Sequence, residues 1–168
     1  AILSGTTGFA LDPSDTATMF QDTGETTPVT TLGDPVRRIK SKWGTTVYNF
    51  DAPTDAARPA WDGTAGLDFD GSDDFIRVLA TDVLRDKPAG FICTHEKMDA
   101  LNYYSFQFST DAGANQRFSS SINAGGTWAI GGRILDGDST TFISSAAGVI
   151  ATATEYVLSA QINYAVGK

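Results

Sequence analysis

The sequence has few of the residues that carry covalent and acid–base chemistry. Among 168 residues there is one cysteine, one histidine and only three glutamates, which stand apart at positions 25, 96 and 155. The lone Cys93 excludes an internal disulfide, and its strand-like surroundings predict a buried thiol. His95 precedes Glu96, but neighbours on a strand face opposite ways, so the two do not form an acid–base pair. No Gly-x-Ser-x-Gly, His-Glu-x-x-His or phosphate loop occurs. No apolar run reaches the roughly 18 residues of a membrane helix. Ala1-Ile2-Leu3-Ser4-Gly5 lacks the basic segment and apolar run of a signal peptide. Twelve basic residues face twenty acidic ones, and a net charge of −8 repels phosphate backbones and anionic lipid. Neither nucleic acid nor a membrane is therefore expected as a partner.

What is present is the balance of a globular chain: 41% hydrophobic, 11% aromatic and 19% charged residues. Its length suits one domain, entered at about residues 7–8 and spanning 1–168. All acids but those three glutamates are Asp. Asp, Thr and Gly favour turns, caps and strands over helix interiors, which points to an all-β fold. Helix is expected only as a turn after Asp12-Pro13, with Asp12 as its N-cap.

Strands are predicted over Gly8–Leu11, Val36–Lys40, Val47–Phe50, Phe91–Lys97, Tyr103–Ser109, Gln116–Ile122, Thr127–Leu135 and Glu155–Asn163, with Asp/Gly/Asn-rich turns between them. Gly66–Asp70 and Asp74–Val78 flank Gly71-Ser72-Asp73 and read as a hairpin. Many short strands with regular turn punctuation predict an antiparallel β-sandwich or jelly roll. The core expected from alternation comprises Phe69, Phe75, Ile76 or Val78, Phe91 or Cys93, Phe106, Leu158 and Ile162. Arg37, Arg38, Lys40 and Lys42 crowd one strand, either as an edge guarded by charge or as a docking patch for an acidic partner.

Asp68, Asp70, Asp73 and Asp74 form the densest polar cluster. Carboxylates so close suit a hard cation, and Asp70, Asp73 and Asp74 are the candidate Ca²⁺ ligands, although position 79 is Leu and not the closing Glu of an EF-hand. The competing reading is that they cap the amides of their own turn. No motif requires a cofactor.

Asp12-Pro13-Ser14-Asp15, Phe20-Gln21-Asp22, Thr26-Thr27-Pro28-Val29, Gly33-Asp34-Pro35-Val36, Arg58-Pro59 before Trp61, and Leu67-Asp68-Phe69-Asp70-Gly71-Ser72-Asp73-Asp74-Phe75 form a further pattern. Over residues 8–79 it resembles the concanavalin A-like (laminin G-like) lectin domains of phage and prophage virion proteins. Beyond that stretch only the strand pattern is similar. Ser41-Lys42-Trp43-Gly44-Thr45-Thr46 stands where such domains usually carry a Ser-Gly-Asn-Gly turn followed by His-Ala. The chain stops at Gly167-Lys168 where relatives add closing strands, so a fragment of a longer protein is expected.

The resemblance implies a jelly-roll sandwich that binds bacterial surface polysaccharide without cleaving it, in a tail-fibre or other virion structural protein. Its setting would be the virion or the extracellular space, and its partners other virion proteins and further copies of itself. Trp43, Trp128 and Arg133 are the candidate glycan contacts; Tyr48, Trp61 and Tyr103 qualify by residue type, although a sandwich core takes up most aromatics. Two alternatives stay open: a purely structural fibre or decoration module, and a glycan hydrolase whose catalytic residues lie beyond Lys168. The paired Glu/Asp strand pattern of such hydrolases does not occur within the 168 residues.

Overall fold

Residues 8–44, 46–79, 89–109, 116–132 and 141–163 are described by a computed structural model. The protein is all-β, with 41% strand and 2% helix, and every strand pair among the described residues is antiparallel. It divides into two compact units, Ala1–Arg85 and Asp86–Lys168.

The first unit is organised by short carboxylates that close turns. Asp15, not Asp12, caps a single 3-10 turn at Thr16–Thr18, accepting from the Ala17 amide. Asp12 instead accepts from Ser14. Asp22 accepts from the amides of Thr26 and Thr27, and Asp34 from those of Thr30 and Thr31. A one-methylene side chain reaches amides two to five residues away in either direction, and this is the use found for the Asp-rich composition.

Between these turns run β1 (Met19–Phe20), β2 (Arg38–Lys40) and β3 (Asn49–Asp51), in the order β1-β2-β3. The register lines up Met19, Ile39 and Phe50 in one row. All three are buried, and Val29, Val36, Ala52 and Ala57 are buried in the same unit. Phe9 packs on Phe50 with ring centroids 4.6 Å apart. The expected strand at Gly8–Leu11 is reduced to one bridge, Ala10 to Trp43. β2 lies at the centre of its sheet, which corrects the expectation of a charged edge strand.

The predicted hairpin around Gly71 does not form. β5 (Leu67–Asp68) pairs with β4 (Ala60–Trp61), while Arg77 bridges to Asp51 and the Phe75 amide donates to the Ala57 carbonyl. The two arms separate because each pairs elsewhere, the first with β4 and the second with Asp51 and Ala57. Phe69 and Phe75 are consequently exposed, and Ile76 and Val78 half-buried, which corrects the expected core at the first two positions.

The second unit holds a ribbon of β6 (Ala89–Lys97) and β11 (Glu155–Asn163), and a sheet of β7 (Tyr103–Ser109), β8 (Gln116–Ile122), β9 (Trp128–Gly132) and β10 (Thr141–Ser144) in the order β10-β9-β8-β7. The strand β10 has no counterpart in the sequence reading. Both sheets contribute to one core of Met98, Ile122, Ile150 and Leu158, with Leu101, Tyr103, Trp128 and Tyr156 against it. A second aromatic group forms where Phe106 and Phe108 meet the fully buried Phe118, centroids 5.3 and 6.4 Å away.

A register shift between Tyr104 and Phe106 breaks the simple alternation of β7. Tyr103 is half-buried, Tyr104 exposed, and Phe106 and Phe108 half-buried again. A bulge inserts one residue and resets the face that follows it. Leu158 is buried as expected, whereas Phe91 is 67% exposed and Cys93 is an exposed free thiol, both corrections to the predicted core. The Ile162 side chain lies outside the described residues.

Candidate functional site

The basic run on β2 is consumed by ion pairs within the first unit. Arg38 faces Asp51 in the register and donates from Nε and Nη2 to its two carboxylate oxygens, both at 2.7 Å. Its Nη1 donates to the Thr23 carbonyl at 2.8 Å and to Glu25 at 3.2 Å. Lys40 reaches the other Glu25 oxygen at 2.9 Å, and Lys42 lies 2.9 Å from Asp12 and 3.0 Å from Asp15. The Lys40 ammonium, ahead of Arg38, holds the Glu25 carboxyl below its usual range. The Ser14 hydroxyl and then Lys42 bring Asp12 down to about 2.

Arg37 is held more loosely. Its Nη1 lies 3.3 Å from Asp55, a carboxylate 82% exposed, and its Nη2 donates to the Pro53 carbonyl at 3.0 Å.

Asp70, Asp73 and Asp74 do converge, with carboxylate oxygens within 4.8 Å of one another. Asp70 accepts from the amides of Ser72 (2.8 Å) and Asp73 (3.3 Å), while Asp74 accepts from the Asp70 amide at 2.9 Å. Gly71 takes the left-handed conformation, φ +74°, that this tight turn requires. The amides, Ser72 first, lower the Asp70 pKa; partial burial, with Asp70, Asp73 and Asp68 nearby, raises that of Asp74. The three carboxylates suit a hard cation by type, and two of them already serve the turn's own backbone.

Trp43 and Trp128 belong to different units. Trp43 follows β2 and is 55% exposed, with only the Ala10 bridge fixing its backbone among the bridges described. Trp128 is half-buried in the second core and donates from its indole nitrogen to Ser120 Oγ at 2.7 Å. Trp61 is half-buried and donates to the Pro13 carbonyl at 3.2 Å. Arg133 lies outside the described residues. His95 shares the exposed face of β6 with Cys93 and sits 3.6 Å from Glu155 on β11; Glu96 is on the opposite face, as alternation requires.

One concavity in the first unit was not foreseen. An open groove of about 510 Å³ is lined by Thr23, Arg37, Val47, Tyr48, Asn49, Asp51, Ala52, Pro53, Arg77, Val78 and Leu79. β3 supplies Asn49 and Asp51, and the Arg77–Asp51 bridge brings the segment after the Asp turn alongside. The groove combines guanidinium, amide, hydroxyl and carboxylate groups with apolar walls. Tyr48 and Arg37 stood out in the sequence, Tyr48 as an aromatic and Arg37 within the basic run. Asn49 and Arg77 carried no signal, because a long-range bridge brings them together. Comparison with known proteins adds no relative: no family model, curated protein or solved structure matches the chain.

Proposed function

We propose that this chain is a non-enzymatic carbohydrate-binding domain of a phage-like virion structural protein, serving adhesion to bacterial surface polysaccharide. In this reading the antiparallel sheets belong to a concanavalin A-like jelly-roll sandwich. The observation that carries it is the groove beside β3, whose hydrogen-bonding groups and apolar walls are the two kinds of surface a sugar chain uses. The motif resemblance over residues 8–79 supplies the family and the virion setting. Each such contact is weak, so adhesion draws on avidity from many copies assembled with other virion proteins.

One observation favours a structural module instead. The exposed face of the β6–β11 ribbon presents Phe91 and Val157 at 67% and 70% exposure, two separate apolar side chains open to contact with protein. Binding of the full-length protein to host cells and extracted polysaccharide, with and without chelator, separates these readings. Saturable binding without oligosaccharide release supports adhesion. No binding at high valency favours the structural module, and release of oligosaccharide over time favours a hydrolase.

A further inference from the structure

The described cations differ in whether they are paired. Arg37, Arg38, Lys40, Lys42 and Arg58 each have a carboxylate within 4.0 Å. Arg77 and Lys97 have none among the described residues, and of these two only Arg77 lines the groove. Its backbone is fixed by two hydrogen bonds with Asp51, at 2.8 and 3.0 Å, and its side chain is exposed. The second guanidinium of the groove, Arg37, holds its carboxylate at 3.3 Å, and that carboxylate is shared with Arg58. The groove's own acid, Asp51, is already neutralised by the two-pronged contact from Arg38. Among the described residues, this groove therefore carries unbalanced positive charge, in a chain of net charge −8.

We propose that Arg77 is an anion-pairing residue and that the groove takes a saccharide bearing a carboxylate, a uronic acid unit being the simplest form. The proposal rests on the glycan-binding reading and names its ligand class. A guanidinium offers a planar fork that matches a carboxylate with two parallel hydrogen bonds. Asn49 and Thr23 would serve the hydroxyls of the same ring. A phosphate meets the same fork, so a single-stranded oligonucleotide is titrated beside the sugars to separate the two ligands.

Calorimetric titration of the whole chain with oligogalacturonate and with malto-oligosaccharide of equal length tests this at low and high salt. The expected result is tighter binding of the acidic chain, weakened by salt. Arg77→Ala should lose about tenfold or more of that affinity with an unchanged circular dichroism spectrum. Arg77→Lys should retain part of it, and Lys97→Ala all of it. Equal affinity for both oligosaccharides, or an Arg77→Ala variant that binds as well as the parent, overturns the proposal and leaves the glycan reading standing. Binding of neither oligosaccharide nor of any extracted polysaccharide overturns both. An equal loss in Lys97→Ala, or tighter binding of a single-stranded oligonucleotide, overturns the assignment in favour of non-specific charge or phosphate recognition.

Discussion

Replacing Arg38 with Met tests whether the paired network around β2 holds the first unit together. Met keeps much of the aliphatic volume of the stem and removes four donors at once: two to Asp51, one to Glu25 and one to the Thr23 carbonyl. The Arg38 side chain is 15% exposed, and the two carboxylates are near one-third exposed, so water re-solvates part of what is lost. Breaking a fully buried pair from one side costs about 3–5 kcal/mol, and exposed pairs are worth at most about 1 kcal/mol. The intermediate burial here sets the expected loss at about 2 kcal/mol. At about 2–4 °C per kcal/mol for a chain of this size, the thermal midpoint should fall by about 4–8 °C. Arg38→Lys keeps the charge without the fork and should fall between the two. Thermal unfolding followed by circular dichroism, with urea titration as a second measure, reads the effect. A midpoint for Arg38→Met within about 2 °C of the parent, less than 1 kcal/mol on that scale, would refute the reasoning.

Other expectations follow from the same groups. Partial burial, then the charges of Asp70, Asp73 and Asp68, raise the Asp74 pKa on folding, so its charged form costs the fold stability at neutral pH. Asp74→Asn keeps an acceptor for the Asp70 amide, and should raise the melting temperature at pH 7 with the gain fading below the carboxylate range; a lower midpoint at pH 7 would contradict it. Asp12 and Asp22 shift the other way, from 3.8 to about 2; at Asp22 partial burial opposes the shift and the amides of Thr26 and Thr27 outweigh it. Their folded-state values lie below the unfolded ones, so their contribution is present above about pH 4 and is lost as pH falls toward 2. Asp22→Asn should therefore flatten the acid limb of stability against pH, and an unchanged limb would count against the assignment. Cys93 should react fully with a thiol reagent in native buffer, whereas a requirement for denaturant would show it covered.

The sequence made the longer strands legible, and the short ones and the pairing much less so. Gln116–Ile122 and Glu155–Asn163 were read to the residue because turn residues and alternation bracket them. The Phe69–Phe75 segment reads equally well as a hairpin, yet its arms leave for different partners. That outcome depends on pairing of the arms with β4, Asp51 and Ala57, which no periodicity within the segment reports. The basic run was visible as a charge cluster. Its neutralisation by Asp12, Asp15, Glu25, Asp51 and Asp55 was not, because those acids lie between 13 and 30 residues from their hydrogen-bonded partners in the pairs Arg38–Asp51 and Lys42–Asp12 and are gathered by the fold. The groove depends on the same long-range gathering, and for that reason only two of its polar or aromatic residues were visible in advance.

The inverted faces of β6 show what alternation can and cannot decide. Phe91 and Cys93 look like the inward row when the strand is taken alone, since the other row contains Gly90, Thr94 and Glu96. The pairing with β11 changes the comparison: Phe91, Cys93 and His95 stand opposite Gln161, Ser159 and Val157, whereas Ile92, Thr94 and Glu96 stand opposite Ala160, Leu158 and Tyr156. A ribbon buries the face with the larger combined apolar surface, and Leu158 and Tyr156 bring that face onto Met98, Ile122 and Ile150. The choice carries Glu96 inward, where its Oε1 is buried without a hydrogen-bond partner among the described residues. Burial first, then the Glu96 charge, pushes the nearby Tyr103 hydroxyl up to about 12. Tyr156 and Leu158 therefore outweigh an unfavourable carboxylate. The face of a strand is thus a property of the pair, and it becomes readable from sequence only once the register is known.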